Sequence, residues 1–112
     1  TPLTDPFAFD EALELKMMSK ALNVQDVQTL YFRARKFEKL GYVKHALRDY
    51  MFIAQNYPKF EYKQSLPIAI ARCYERLDNK KAAIDILGQY QKVYGENEDI
   101  LFWIDQLKSE TL

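Results

Sequence analysis

The amino-acid sequence predicts an all-α fold, on three observations. Apolar residues recur at spacings of three and four, the period of one helix face, where a sheet protein would need alternation broken by frequent turns. Only 3 glycines and 4 prolines occur in 112 residues, so few positions are marked for tight turns. Residues 31 to 58 also align with residues 68 to 95 at an offset of 37.

The elements follow in order. Asp5-Pro6 reads as a cap and a first-turn proline, leading into a helix that should run through Leu22 with Ala12, Leu15 and Met18 or Leu22 facing inward. Asn23 can accept bonds from the free amides of the next helix, and Asp26 favours its positive end. That helix should reach about Leu40 and turn at Gly41-Tyr42. Its partner should extend from about Val43 to Asn56, where Tyr57-Pro58 stops it. A second unit begins near Ser65, with Pro67 in the first turn, where a missing amide does no harm. It turns at Asp78-Asn79, and its second helix runs from about Lys80 to Tyr94 and ends at Gly95. Gly and Asn most readily take the left-handed conformation that ends a helix, so Gly41 and Asn79 suit the two turns. A last helix opens with Asn97 and carries Ile100, Leu101, Ile104 and Leu107 on one stripe, as a terminal cap would.

The internal match is specific. Ala34, Arg35, Glu38, Leu40, Lys44, Ala46 and Tyr57 fall on Ala71, Arg72, Glu75, Leu77, Lys81, Ala83 and Tyr94. Seven identities in 28 aligned positions exceed the two or so that average composition gives (roughly one position in fifteen). One domain over residues 1–112 is expected: a flanking helix in 1–23, a first repeat in 24–58, a second in 61–95 and a capping helix in 97–112.

Composition narrows the functional classes. Sixteen basic residues balance sixteen acidic ones, leaving no net field to gather nucleic acid or an anionic membrane. The run from Arg33 to Lys39 holds four basic residues in seven, but Glu38 interrupts it and no glycine-aromatic recognition signature accompanies it, so no nucleic-acid partner is expected. No stretch approaches the roughly 20 apolar residues of a membrane span, and no signal-peptide pattern opens the chain. A first residue of Thr suits a mature protein or an excised fragment alike, and leaves the compartment open between cell envelope, periplasm and cytoplasm.

The lone Cys73 and lone His45 provide no internal disulfide and no metal-ligand set, so neither a metal nor another cofactor is expected. Glycine-rich phosphate loops, nucleophile elbows and catalytic motifs are absent, which predicts a non-enzymatic chain. His45, at the start of a helix, reads as a surface or capping residue, and Cys73 as an inert core thiol despite its neighbour Arg72.

The first repeat carries Ala34, Phe37, Leu40-Gly41, Ala46, Tyr50 and Pro58. In this order they resemble the tetratricopeptide family pattern: a small residue and an aromatic, Leu-Gly before the turn, then Ala, an aromatic and a closing Pro. Small residues let two helices approach while the aromatics fill the space beside them. The second repeat keeps Ala71, Tyr74, Leu77 and Ala83 but has Leu87 for the aromatic and Gly95 for the proline. An offset of 37 against the family's repeat of about 34 places three extra residues near Lys59 to Lys63. The linker Asn56-Tyr57-Pro58-Lys59-Phe60 is similar to linkers of bacterial envelope tetratricopeptide proteins, such as outer-membrane assembly lipoproteins and periplasmic coordinators of cell division.

The resemblance implies a right-handed helical-repeat solenoid of about six antiparallel helices. It also implies a protein–protein interaction scaffold or adaptor, in which the first helices of successive repeats line a concave groove. Equivalent groove positions are Tyr31, Arg35, Glu38 and Lys39 in one repeat and Ile68, Arg72, Glu75 and Arg76 in the next. Each arginine could fork onto a carboxylate, which suggests an extended acidic or C-terminal peptide as ligand. Arg35 with Glu38 and Arg72 with Glu75 also have the spacing of helix-surface pairs, worth a few tenths of a kcal/mol (about 0.2–0.5), and the two roles are compatible. Phe102 and Trp103 are adjacent, so one of them should leave the core and offer a second interface. Phe7 and Phe9 could dock on this domain or on a neighbour, and self-association through the terminal helices is a further expectation. A bacterial envelope or motility assembly is the setting expected. A class II chaperone of type III secretion and an accessory domain of a larger protein are the alternatives.

Overall fold

A computed structural model describes residues 11–110. Among them it contains six helices and no strand: α1 (Glu11–Ser19), α2 (Val24–Lys39), α3 (Val43–Asn56), α4 (Ser65–Arg76), α5 (Lys80–Tyr94) and α6 (Glu98–Glu110). The chain divides into two compact units, Thr1–Phe60 and Glu61–Leu112. Asp5-Pro6, Phe7 and Phe9 lie outside the described residues.

In the first unit α1 departs from expectation. It ends at Ser19 rather than Leu22, because Lys20 takes φ +55 while Ala21 N–H donates to Lys16 O at 2.8 Å. Leu13 and Met17 face inward, whereas Leu15 (57% exposed), Met18 (81%) and Ala12 are outside; Leu22 is buried, but beyond the helix. Both apolar rows have helical spacing, so periodicity could not choose between them. Polar contacts choose: Glu14 bonds Arg33 and Lys16 bonds Asp26, which turns the face bearing residues 13, 14, 16 and 17 toward the unit.

Asn23 and Asp26 close a capping box on α2: Asp26 N–H donates to Asn23 Oδ1 at 2.8 Å and Asn23 N–H to Asp26 Oδ2 at 3.2 Å. The bond from Asn23 N–H and the one from Lys16 hold the Asp26 carboxyl below its ordinary value. Val27, Leu30, Tyr31, Ala34 and Phe37 form the buried face of α2. It packs on α3, which buries Val43, Ala46, Asp49, Tyr50 and Ile53. Ala34 and Ala46 are fully buried, as close helix approach requires. Tyr57, just past α3, accepts the Leu22 N–H on its hydroxyl at 3.0 Å and so ties down the α1–α2 turn.

In the second unit, Leu66, Ala69, Ile70, Ala71 and Cys73 are the buried side of α4. Ala71 joins Ala83 and Leu87 of α5 and Ile100, Ile104 and Leu107 of α6 in one cluster, flanked by Ile68, Tyr74, Ile84, Ile86, Tyr90 and Trp103. Leu101, expected on the inward stripe of α6, is instead 39% exposed, because a helix turns about 100° per residue and Ile100 already faces the core. Asn97 caps α6, its Oδ1 accepting from Asp99 N–H at 2.8 Å and Ile100 N–H at 3.2 Å. Lys80 Nζ lies 3.2 Å from Asp78 and 3.8 Å from Glu110, and the Asp78 bond raises the Lys80 pKa.

The two α–α turns correspond residue for residue at the offset of 37. Gly41 N–H donates to Glu38 O and Tyr42 N–H to Phe37 O; Asp78 N–H donates to Glu75 O and Asn79 N–H to Tyr74 O. Gly41 has φ +90 and Asp78 φ +60, so the left-handed residue of the second turn is Asp78 and not Asn79. Asn79 serves as the cap of α5, accepting from Ala82 N–H at 3.2 Å.

Candidate functional site

The candidate surface begins with the leading helix of each unit. On α2, Arg35 and Lys39 are exposed and lie one helical turn apart, while Ala34 between α2 and the core is fully buried. Arg72 and Arg76 occupy the equivalent positions on α4 and are likewise exposed, with Ala71 buried beside them. Each unit therefore displays a cationic pair on a helix whose other face is committed to the core.

Two of the expected groove residues are not on that surface. Tyr31 is 8% exposed, because its ring is enclosed by Tyr50 at 5.9 Å and Phe60 at 5.4 Å. Ile68 is half-buried against the α4–α5–α6 cluster. Both follow the rule that a large apolar side chain near the core boundary turns inward when neighbours leave room for it.

Glu38 and Glu75 are engaged by side chains of later helices. The Tyr50 hydroxyl donates to Glu38 Oε1 at 2.9 Å, and Trp103 Nε1–H donates to Glu75 Oε1 at 2.8 Å. Equivalent carboxylates in the two units thus each receive an aromatic donor from a following helix. The second bond fixes Trp103 against the core and leaves its neighbour Phe102 64% exposed. Phe102 is the member of the pair that reaches solvent.

A charged cluster escaped notice in the sequence. Asp49 is completely buried on the apolar face of α3, between Ala46 and Ile53. Arg33 grips it with two bonds, Nε to Oδ2 at 2.9 Å and Nη2 to Oδ1 at 3.0 Å, and Arg48 Nη2 reaches Oδ1 at 3.2 Å. Glu14 of α1 completes the group, 3.3 Å from Arg33 Nη1 and 3.9 Å from Arg48 Nη2. Burial works against the Arg33 charge, but the bonds from Asp49 and Glu14 prevail and raise its pKa. Arg33 thus belongs to an interior ion group and not to the exposed basic run from Arg33 to Lys39. One signal in the sequence pointed to it: an aspartate at the helical spacing of Ala46, Tyr50 and Ile53 needs a buried cation.

His45 is exposed, its ring 5.1 Å from Phe37 and 6.1 Å from Tyr42, and Cys73 is fully buried. Among the described residues no group of three His, Cys, Asp or Glu side chains is placed to hold a metal ion. No helix among them is long and apolar enough to cross a membrane. No family model matches the chain, and no curated protein or solved structure matches it either.

Proposed function

We propose that the chain is a tetratricopeptide-like repeat domain, with α2–α3 and α4–α5 as its two repeats and α1 and α6 as flanking helices, and that it binds a partner protein or extended peptide without catalysing a reaction. The observation that carries this reading is the recurrence at one offset, 37, of the turn hydrogen bonds and of an exposed cationic pair on each leading helix. Helical repeats present equivalent side chains at equivalent positions of each unit, and here those positions are cationic. Arginine at two such positions, Arg35 and Arg72, suits carboxylates, so the favoured ligand carries an acidic segment or a free C-terminal carboxylate. Phe102 offers an apolar contact on the second unit. A bacterial envelope or motility assembly is the proposed setting, on the strength of the linker from Asn56 to Phe60.

Affinity capture from native extract, with the wild-type chain and an Arg35→Ala/Arg72→Ala variant of equal helix content, tests the reading. A protein retained by the first and lost by the second supports recognition through the leading helices. Retention by both removes the arginines from the binding surface and leaves Phe102 as the candidate.

A further inference from the structure

Among the described residues α1 spans Glu11–Ser19, and its rotation in the first unit is set by a few side-chain contacts. Its docking face is narrow. Leu13 and Met17 are buried, Glu14 bonds Arg33, and Met17 Sδ lies 3.8 Å from Arg33 Nη2. Leu15 and Met18 on the opposite face stay in solvent. Below Glu14, Arg33 and Arg48 share the carboxylate of Asp49, so without Glu14 two guanidiniums would face one negative charge. The Arg33 side chain is 14% exposed and that of Arg48 56%, so an incoming carboxylate meets Arg48 first and reaches Arg33 by taking the place of Glu14. The connection to α2 turns through Lys20 in the left-handed region, a conformation that disfavours a side chain and is relieved when α1 leaves.

We propose that Arg33 and Arg48 form a carboxylate-binding site for an amphipathic partner helix with the pattern apolar-Glu-x-x-apolar. α1 carries that pattern itself, as Leu13-Glu14 and Met17, and closes the site from within. The partner's glutamate takes the position of Glu14, its two apolar side chains take those of Leu13 and Met17, and α1 is displaced. Arg33 Nη1 and Arg48 Nη2 converge on the Glu14 carboxylate from two side chains and so select a negative charge at that point, and the flanking apolar seats select a helix over an extended acidic chain. The inference goes beyond the proposed function and does not rest on it, since Arg35 and Arg72 take no part.

The probe is a fluorescein-labelled peptide of residues 11 to 22, titrated with the full chain and followed by anisotropy. In the wild type the tethered α1 competes with it. Glu14→Gln is expected to bind the probe about tenfold tighter, the effect of weakening one charge-assisted hydrogen bond of the competitor. Adding Arg48→Ala should remove most of that gain, and a probe with Gln at the position of Glu14 should bind no variant. Equal affinity in wild type and Glu14→Gln, with circular dichroism showing full helix content, overturns the site. Should Glu14→Gln lose helix content, the wild type titrated with the probe and with its Gln form decides, with the Glu form expected to bind about threefold or more tighter and equal affinity overturning the proposal. A wild type that sediments as a dimer and becomes monomeric in Glu14→Gln would seat a second copy's α1 there and overturn the partner assignment.

Discussion

Asp49→Ala is the most informative single change to the fold. The aspartate is fully buried and accepts three of the shortest ionic contacts in the first unit, two from Arg33 and one from Arg48. Removing one partner of a buried pair costs about 3–5 kcal/mol, because the other charge stays desolvated without compensation. Glu14 still lies 3.3 Å from Arg33, which places the loss at the lower end, about 3 kcal/mol. With an unfolding entropy of about 2.1 cal/mol/K per residue, that loss lowers Tm by roughly 13 °C for a chain of this length. Exchanging both partners, Arg33→Met with Asp49→Leu, removes the buried charge altogether and should stay within about 1 kcal/mol of wild type. Urea unfolding followed by far-ultraviolet circular dichroism reads both variants. A single Asp49→Ala loss below about 1 kcal/mol, or a double variant no better than the single one, would refute the argument that uncompensated Arg33 charge is the dominant effect.

Three further outcomes follow from the same geometry. Gly41→Ala should cost about 1 kcal/mol in urea melts although a Cβ there meets nothing within 4 Å, because the penalty comes from φ +90 and not from a clash. Leu107→Ala, in the α4–α5–α6 cluster, should cost about 2–5 kcal/mol, and fluorescence of the neighbouring Trp103 should report the earlier transition. For Asp26 the folded pKa lies below the ordinary 3.8, so its contribution is present above that pH and is lost as pH falls through the folded value. The stability difference between wild type and Asp26→Asn, measured by urea melts from pH 7 to pH 2, should therefore be constant near neutrality and close only in acid.

What was legible in the sequence was what local chemistry decides. Asn23, Pro58, Gly95 and Asn97 act on their own helix ends, and the bounds of α2 to α6 follow from them closely. Exposure of Arg35, Lys39, Arg72 and Arg76 followed from their place opposite the small buried residues Ala34 and Ala71. Long-range partners decided the rest. The rotation of α1 depends on Arg33 and Asp26, which stand 19 and 10 residues from the side chains they hold. Asp49 is tolerated in the core because Arg33 lies across the α2–α3 contact, and Tyr31 turns inward because Phe60 comes back to meet it. At the second turn Asp78 takes the left-handed position because Asn79 is needed as the α5 cap, a competition between two residues that both suit either place.

The central claim, recognition of an acidic ligand by the leading helices, is most directly tested by nitrogen-15 NMR of the chain titrated with an acidic peptide that has a free carboxyl terminus. Saturable shifts centred on Arg35 and Lys39 of α2 and on Arg72 and Arg76 of α4 are the predicted result. Shifts confined to the surroundings of Phe102, or no saturable shift at millimolar peptide, would contradict it.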